Sequence, residues 1–124
     1  MAVIWVGINA ARAIHARLLA EHGGLDGERD AGAIESALTR PQNMAAYGGD
    51  CDVFDLAAAY AFGLARNHGF VDGNKRTAYA VAKAFLIANE KHPRHQQADI
   101  VLTVGRIAVG EMNEEQIAAW FRRG

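Results

Sequence analysis

The chain has one cysteine, Cys51, among 124 residues. That excludes an intramolecular disulfide and a multi-cysteine zinc site, and it fits a reducing cytoplasm. It also lacks a surplus of either charge, because 13 Lys and Arg stand against 14 Asp and Glu for a formal net charge of −1. Such a balance does not favour nucleic acid or an anionic membrane as the main partner. No stretch reaches the roughly 18 uninterrupted apolar residues of a membrane helix. The apolar start, Ala2 to Val6, has no basic segment or cleavage site beside it, so it reads as part of the fold and the protein is expected to be soluble and cytoplasmic. Internal repeats, low-complexity tracts and long linkers are missing too. With 51% hydrophobic residues, a chain of this length can fill one core, and a single domain over residues 1–124 is expected.

What is present is mostly helical periodicity. Ile8, Ala11, Ile14, His15, Leu18, Leu19 and His22 share one helical face, with Asn9 near the start and Gly23-Gly24 as the stop. Asp30 is placed to cap a second helix with Ile34, Ala37 and Leu38 on its apolar face, and Pro41 is expected to end it. Residues 42–52, Gln42 to Asp52, show no sustained period and read as an exposed loop or short hairpin. Val53 to His68 and Thr77 to Ala88 are apolar almost all round, which places these two helices at the centre of a bundle. Asp99 is expected to start a further helix ended by Gly110, and Asn113 with Gln116 makes a capping box before a last helix carrying Ile117, Trp120 and Phe121. The expected fold is all-α, a bundle of about six helices.

Between the two central helices runs His68-Gly69-Phe70-Val71-Asp72-Gly73-Asn74-Lys75-Arg76-Thr77. His68 can take up a proton near neutral pH, and Asp72 is a carboxylate able to hold a divalent cation. Gly73 lets backbone pass close to a ligand, and Asn74 is a capping residue type at the start of the next helix. Lys75 and Arg76 follow in its first turn, where unpaired N–H groups and the helix dipole already favour an anion. A Gly-Asn turn with flanking charges is often only a solvated loop. Two adjacent cations where a helix start prefers Asp or Glu speak against that reading, since such misfits belong where function overrides stability. There is no Gly-x-x-x-x-Gly-Lys-(Ser/Thr) pattern, so the site is not a P-loop.

This segment resembles the motif of the Fic/Doc family, His-Pro-Phe-x-(Asp/Glu)-Gly-Asn-Gly-Arg, and in particular its Doc branch, where Lys replaces the second glycine as Lys75 does here. His15, His22-Gly23-Gly24-Leu25, Gly27, Arg29-Asp30, Glu35-Ser36-Ala37-Leu38, Arg40-Pro41-Gln42 and Leu102-Thr103-Val104-Gly105 are similar to the same branch. The resemblance implies a Fic/Doc helical bundle with the motif loop between its two central helices. It also implies His68 as general base for a target hydroxyl and Asp72 as the ligand or orienter of Mg²⁺. Gly73, Asn74 and the following amides would form an anion nest, with Lys75 and Arg76 stabilising phosphate charge.

The second glycine of most Fic proteins leaves room for the β-phosphate, so that AMP is transferred. Lys75 would fill that space, and Tyr79 stands where AMP-transferring members carry a second arginine. Resemblance to the Doc branch therefore implies a kinase that moves the γ-phosphate of ATP to a threonine of elongation factor Tu, a toxin arresting translation and paired with a Phd-type antitoxin. An AMP transferase using the same base, and a non-catalytic antitoxin-binding module, are the alternatives. Gly69 in place of the motif's proline, and Gly73 where alanine is found in the best-known Doc motif, are minor departures. No (Ser/Thr)-x-x-x-Glu-(Gly/Asn) inhibitory motif occurs, so restraint is expected from a separate helical or disordered segment entering an apolar groove.

Other features are read as structural. Phe70 is expected to plug into the core, and His15 to be a satisfied, partly buried histidine. Arg66 is taken as solvated or ion-paired and His92-Pro93-Arg94-His95 as a solvated turn without metal. The Gln42 to Asp52 loop could dock a target segment as an added strand, as the corresponding flap of Fic proteins does.

Overall fold

The computed structural model describes residues 2–124. Six helices follow one another: α1 (Ile8–His22), α2 (Ala31–Tyr47), α3 (Val53–Asn67), α4 (Asn74–Ala88), α5 (Gln97–Ala108) and α6 (Glu114–Arg123). Among the described residues the only β-type pairing is an isolated antiparallel bridge between Glu28 and Phe70. The architecture is the all-α bundle that the periodicity predicts.

α3 is the axis. Leu56 through Ala61, then Gly63 to Ala65, are buried on every side, and α2, α4, α5 and α6 all pack on it. A run of alanines and one glycine permits this. A Cβ added at Gly63 would lie 3.0 Å from the Cβ of Ala37, so α2 and α3 approach closely because both are small there. Asp52 and Asp55 form a capping box that starts α3. The N-terminal segment is drawn onto the core by Tyr60, whose hydroxyl accepts from Val6 N at 3.1 Å and donates to Val6 O at 3.3 Å. Asn89 holds the same segment through both backbone groups of Ile4, as expected of an apolar start that belongs to the fold.

Four local expectations need correction. Pro41 does not end the second helix. It lies inside α2, which continues to Tyr47. Proline cannot donate to the Ala37 carbonyl, so the helix runs on one bond short, and burial of the Pro41 ring and packing of Met44 against the core outweigh that local loss. Most of the expected loop at 42–52 is therefore helical, and only residues 48–52 remain for a flap. Asp99 does not cap α5, which begins two residues earlier with Gln96 as an N-cap that makes no side-chain bond. Asp99 instead accepts from Trp120 Nε1 at 3.0 Å and from the Thr103 hydroxyl at 3.3 Å, joining α5 to α6. His95 is not merely solvated: its ring stacks on Trp120 at 3.6 Å between centroids, with Nε2 2.9 Å from the Trp120 carbonyl. The Asn113–Gln116 capping box is present as expected, and the flanking Met112 and Ile117 are buried.

Candidate functional site

α3 and α4 deliver the two halves of the motif from the most buried part of the bundle. His68 is the C-cap of α3 and takes the left-handed conformation, φ 49° and ψ 43°. A non-glycine residue there carries strain, of the kind that persists where a site over-determines the backbone. The side chain is exposed at the lip of a cavity of about 850 Å³.

The loop between the helices is held from both sides. Phe70 is 1% exposed and stacks on the His15 ring at 3.8 Å and 11°. His15 is itself buried and bonds the Asp72 carbonyl through Nε2 at 2.8 Å, which makes that nitrogen the donor. Both expectations for these residues are met, and together they fix the motif backbone. The loop Gly23 to Asp30, a brace that no local pattern places here, lies alongside. Its Arg29 and Asp30 amides donate to Gly69 O, and Gly27 O accepts from Val71 N. Gly69 is buried in this seam, and a Cβ there would collide with Ile34 of α2, which explains a residue without a side chain where the motif has proline.

Asn74 does not cap α4. Gly73 occupies the N-cap, left-handed at φ 79°, and the Asn74 amide turns back to clamp Phe70, accepting from its N–H at 3.0 Å and donating to its carbonyl at 2.9 Å. The α4 amides are thus left without a side-chain cap, open to an anion. Lys75 and Arg76 are exposed in that first turn, which contains no acidic residue. Neither takes part in an ion pair among the described residues.

Asp72 sits across the loop, its Oδ1 accepting from Gly73 N at 2.9 Å and its Oδ2 from Leu25 N at 3.2 Å. A carboxylate offers about four lone-pair sites, so each oxygen keeps one free. No group of three or more metal-ligating side chains occurs among the described residues. A hard cation here would be held by Asp72 together with phosphate oxygens, the usual way that Mg²⁺ is bound beside a nucleotide.

His68, Asp72, Gly73, Asn74, Lys75 and Arg76 all line the one cavity. Arg66 does not; it lies over the Phe62 ring at 5.5 Å. Two parts of the site have no signature in the sequence. His22, at the end of α1, lines the cavity, and so do the apolar residues Ile100, Val101 and Val104 of α5. The helical stripe of α5 was visible, but not which part of it would lack a partner.

His68 and the uncapped, cationic start of α4 thus share one cavity, an arrangement able to take up an anion, and the chain has recognisable relatives. The model of the Fic/DOC family matches residues 5–86, two thirds of the chain and the whole motif. The chain belongs to the Fic/Doc family. Within it the relatives are of the Doc branch. The chain is similar to Protein kinase doc of Escherichia phage P1, 37% identical over 111 residues that cover 90% of this chain and 87% of that protein. It is also similar to Toxin Doc of Mycolicibacterium smegmatis, 51% identical over 63 residues, 49% of this chain and 48% of that protein.

Proposed function

We propose that this chain is a Doc-type toxin kinase that transfers the γ-phosphate of ATP to a threonine hydroxyl of elongation factor Tu, acting in the cytoplasm and restrained by a Phd-type antitoxin. The observation that carries the reading is the placing of His68 and the Lys75–Arg76 helix start on one cavity, with lysine where a glycine would leave room for a β-phosphate. The similarity to a protein named a kinase supports the same choice.

His68 removes the proton of the acceptor hydroxyl as that oxygen forms its bond to the γ-phosphorus. The bridging bond between the β- and γ-phosphates breaks, and ADP leaves with the electron pair. Lys75, Arg76 and the free amides at the start of α4 take the charge of the equatorial oxygens. Asp72 would hold Mg²⁺, which when bound supplies charge neutralisation at the phosphates. Asn74, His15 and Phe70 keep the loop rigid, so positioning is built in before substrate arrives.

The test is intact and peptide mass spectrometry of elongation factor Tu after incubation with the protein, Mg²⁺ and ATP, beside a His68→Ala variant. A phosphate-sized gain on one threonine that the variant fails to produce is expected. An AMP-sized gain would overturn the role given to Lys75. No gain, with toxicity retained by His68→Ala, would mean a protein that acts by binding alone.

A further inference from the structure

The cavity over the motif has two unlike walls. One carries the charged and proton-accepting groups already assigned to phosphate and hydroxyl. The other is the aliphatic face of α5, Ile100, Val101 and Val104, continued by Val109, on which phosphoryl transfer makes no demand. Val101 is 64% exposed and Val109 70%, so branched apolar side chains stand uncovered beside a cationic turn. This wall lies beyond the residues 5–86 that the family model matches.

Tyr79 of α4 lines the same cavity. It follows Lys75 by four residues, on the same face of α4 and about 6 Å further along the helix. Its ring is fixed from behind, stacked on Phe121 at 6.3 Å and edge-on to Trp120 at 6.1 Å. Burial raises the pKa of the phenol and no hydrogen bond contributes to that shift, so the group is a neutral donor and acceptor. Its oxygen makes no hydrogen bond among the described residues and is not among their sealed polar atoms, and the residue lines the cavity. A half-buried phenol without a partner among the described residues, next to an apolar wall and one turn from an anion site, matches the changing polarity of a nucleotide read from phosphate to base. The cavity volume of about 850 Å³ is also that of a small-molecule site.

We propose that Tyr79 and the α5 face form the subsite for the nucleoside half of ATP, with the Tyr79 hydroxyl hydrogen-bonded to the nucleoside and Ile100, Val101, Val104 and Val109 covering the base. The proposal rests on the reading of the motif as a nucleotide-dependent phosphotransferase site.

The test measures binding of Mg²⁺-ATP and of Mg²⁺-tripolyphosphate to the full chain by calorimetry, with tryptophan fluorescence as a second signal because Trp120 touches Tyr79. Two variants are compared with the parent: Tyr79→Phe, which keeps the ring and its packing, and Val101→Asp, which changes an exposed position. ATP binds the parent more tightly than tripolyphosphate and alters its fluorescence. Tyr79→Phe weakens ATP about three- to tenfold, the loss of one hydrogen bond, and leaves tripolyphosphate unchanged. Val101→Asp weakens ATP by more, again without effect on tripolyphosphate beyond that of one added charge. Equal affinity of the parent for the two ligands, or variants that leave ATP binding unaltered or shift both ligands alike, would overturn the subsite while the anion site stands. A parent that binds neither ligand would overturn the phosphotransferase reading together with the subsite.

Discussion

Replacing His68 by glycine should abolish the chemistry and stabilise the fold, and the comparison with alanine makes the case quantitative. His68 is exposed, and its left-handed backbone, φ 49°, costs an L-residue roughly 1–2 kcal/mol relative to the right-handed region. Glycine escapes that cost but brings an unfolded chain richer in conformations, a penalty of roughly 0.5–1 kcal/mol. The difference leaves His68→Gly about 0.5–1 kcal/mol more stable than His68→Ala, or roughly 2–5 °C in melting temperature for a chain of this size. His68→Ala should itself lie within about 0.5 kcal/mol of the parent, since only exposed side-chain atoms are lost. Thermal and urea unfolding followed by circular dichroism measure all three. Glu90→Gly is the control, because Glu90 is also left-handed, at φ 67°, and lies outside the cavity lining. It should gain stability and keep activity. A His68→Gly protein no more stable than His68→Ala would refute the claim that the helix end is strained to present the base. Stability gained at the cost of function is the usual trade at such positions.

Three further outcomes follow from the loop and the helix contacts. Gly69→Ala should destabilise by more than about 1 kcal/mol, because its Cβ collides with Ile34 and crowds Asp30 O; an unchanged urea midpoint would show that the seam between the brace and the motif is loose. Asn74→Ala leaves the Phe70 amide and carbonyl without their partners and should cost about 1–3 kcal/mol. Phosphotransfer should fall with it, and Asn74→Asp, which keeps the acceptor but not the donor, should lie between in stability. The Asp52 carboxyl is pushed up by burial, but bonds from the Asp55 amide and the Arg122 guanidinium outweigh this and hold it below its ordinary 3.8. With the folded value depressed, the stabilisation is complete above that ordinary value and is lost as pH falls through the lower folded one. Arg122→Gln should therefore melt slightly earlier than the parent at pH 7, and the gap should close in acid below about pH 4; a gap independent of pH would argue against the pair.

The sequence by itself determined most of the helices and the motif that carries the candidate site. Apolar periodicity placed α1, α3, α4 and α6 to within a few residues, because burial of one face dominates local preference. The motif was legible because Lys75 and Arg76 contradict what a helix start prefers, and such contradictions are local. Tertiary structure decided whatever depends on distant partners. Pro41 continues a helix because the core covers its ring, and no local pattern records that cover. Asn74 and Asp99 each carry a capping side chain, yet one clamps Phe70 and the other receives Trp120 from α6; a capping type promises only a hydrogen bond, and the fold chooses its partner. The brace of Gly27 and Arg29 against Gly69 and Val71, and the cavity that α5 shares with His68, join residues more than thirty positions apart. Such pairings arise from how helices pack, which periodicity along the chain does not encode.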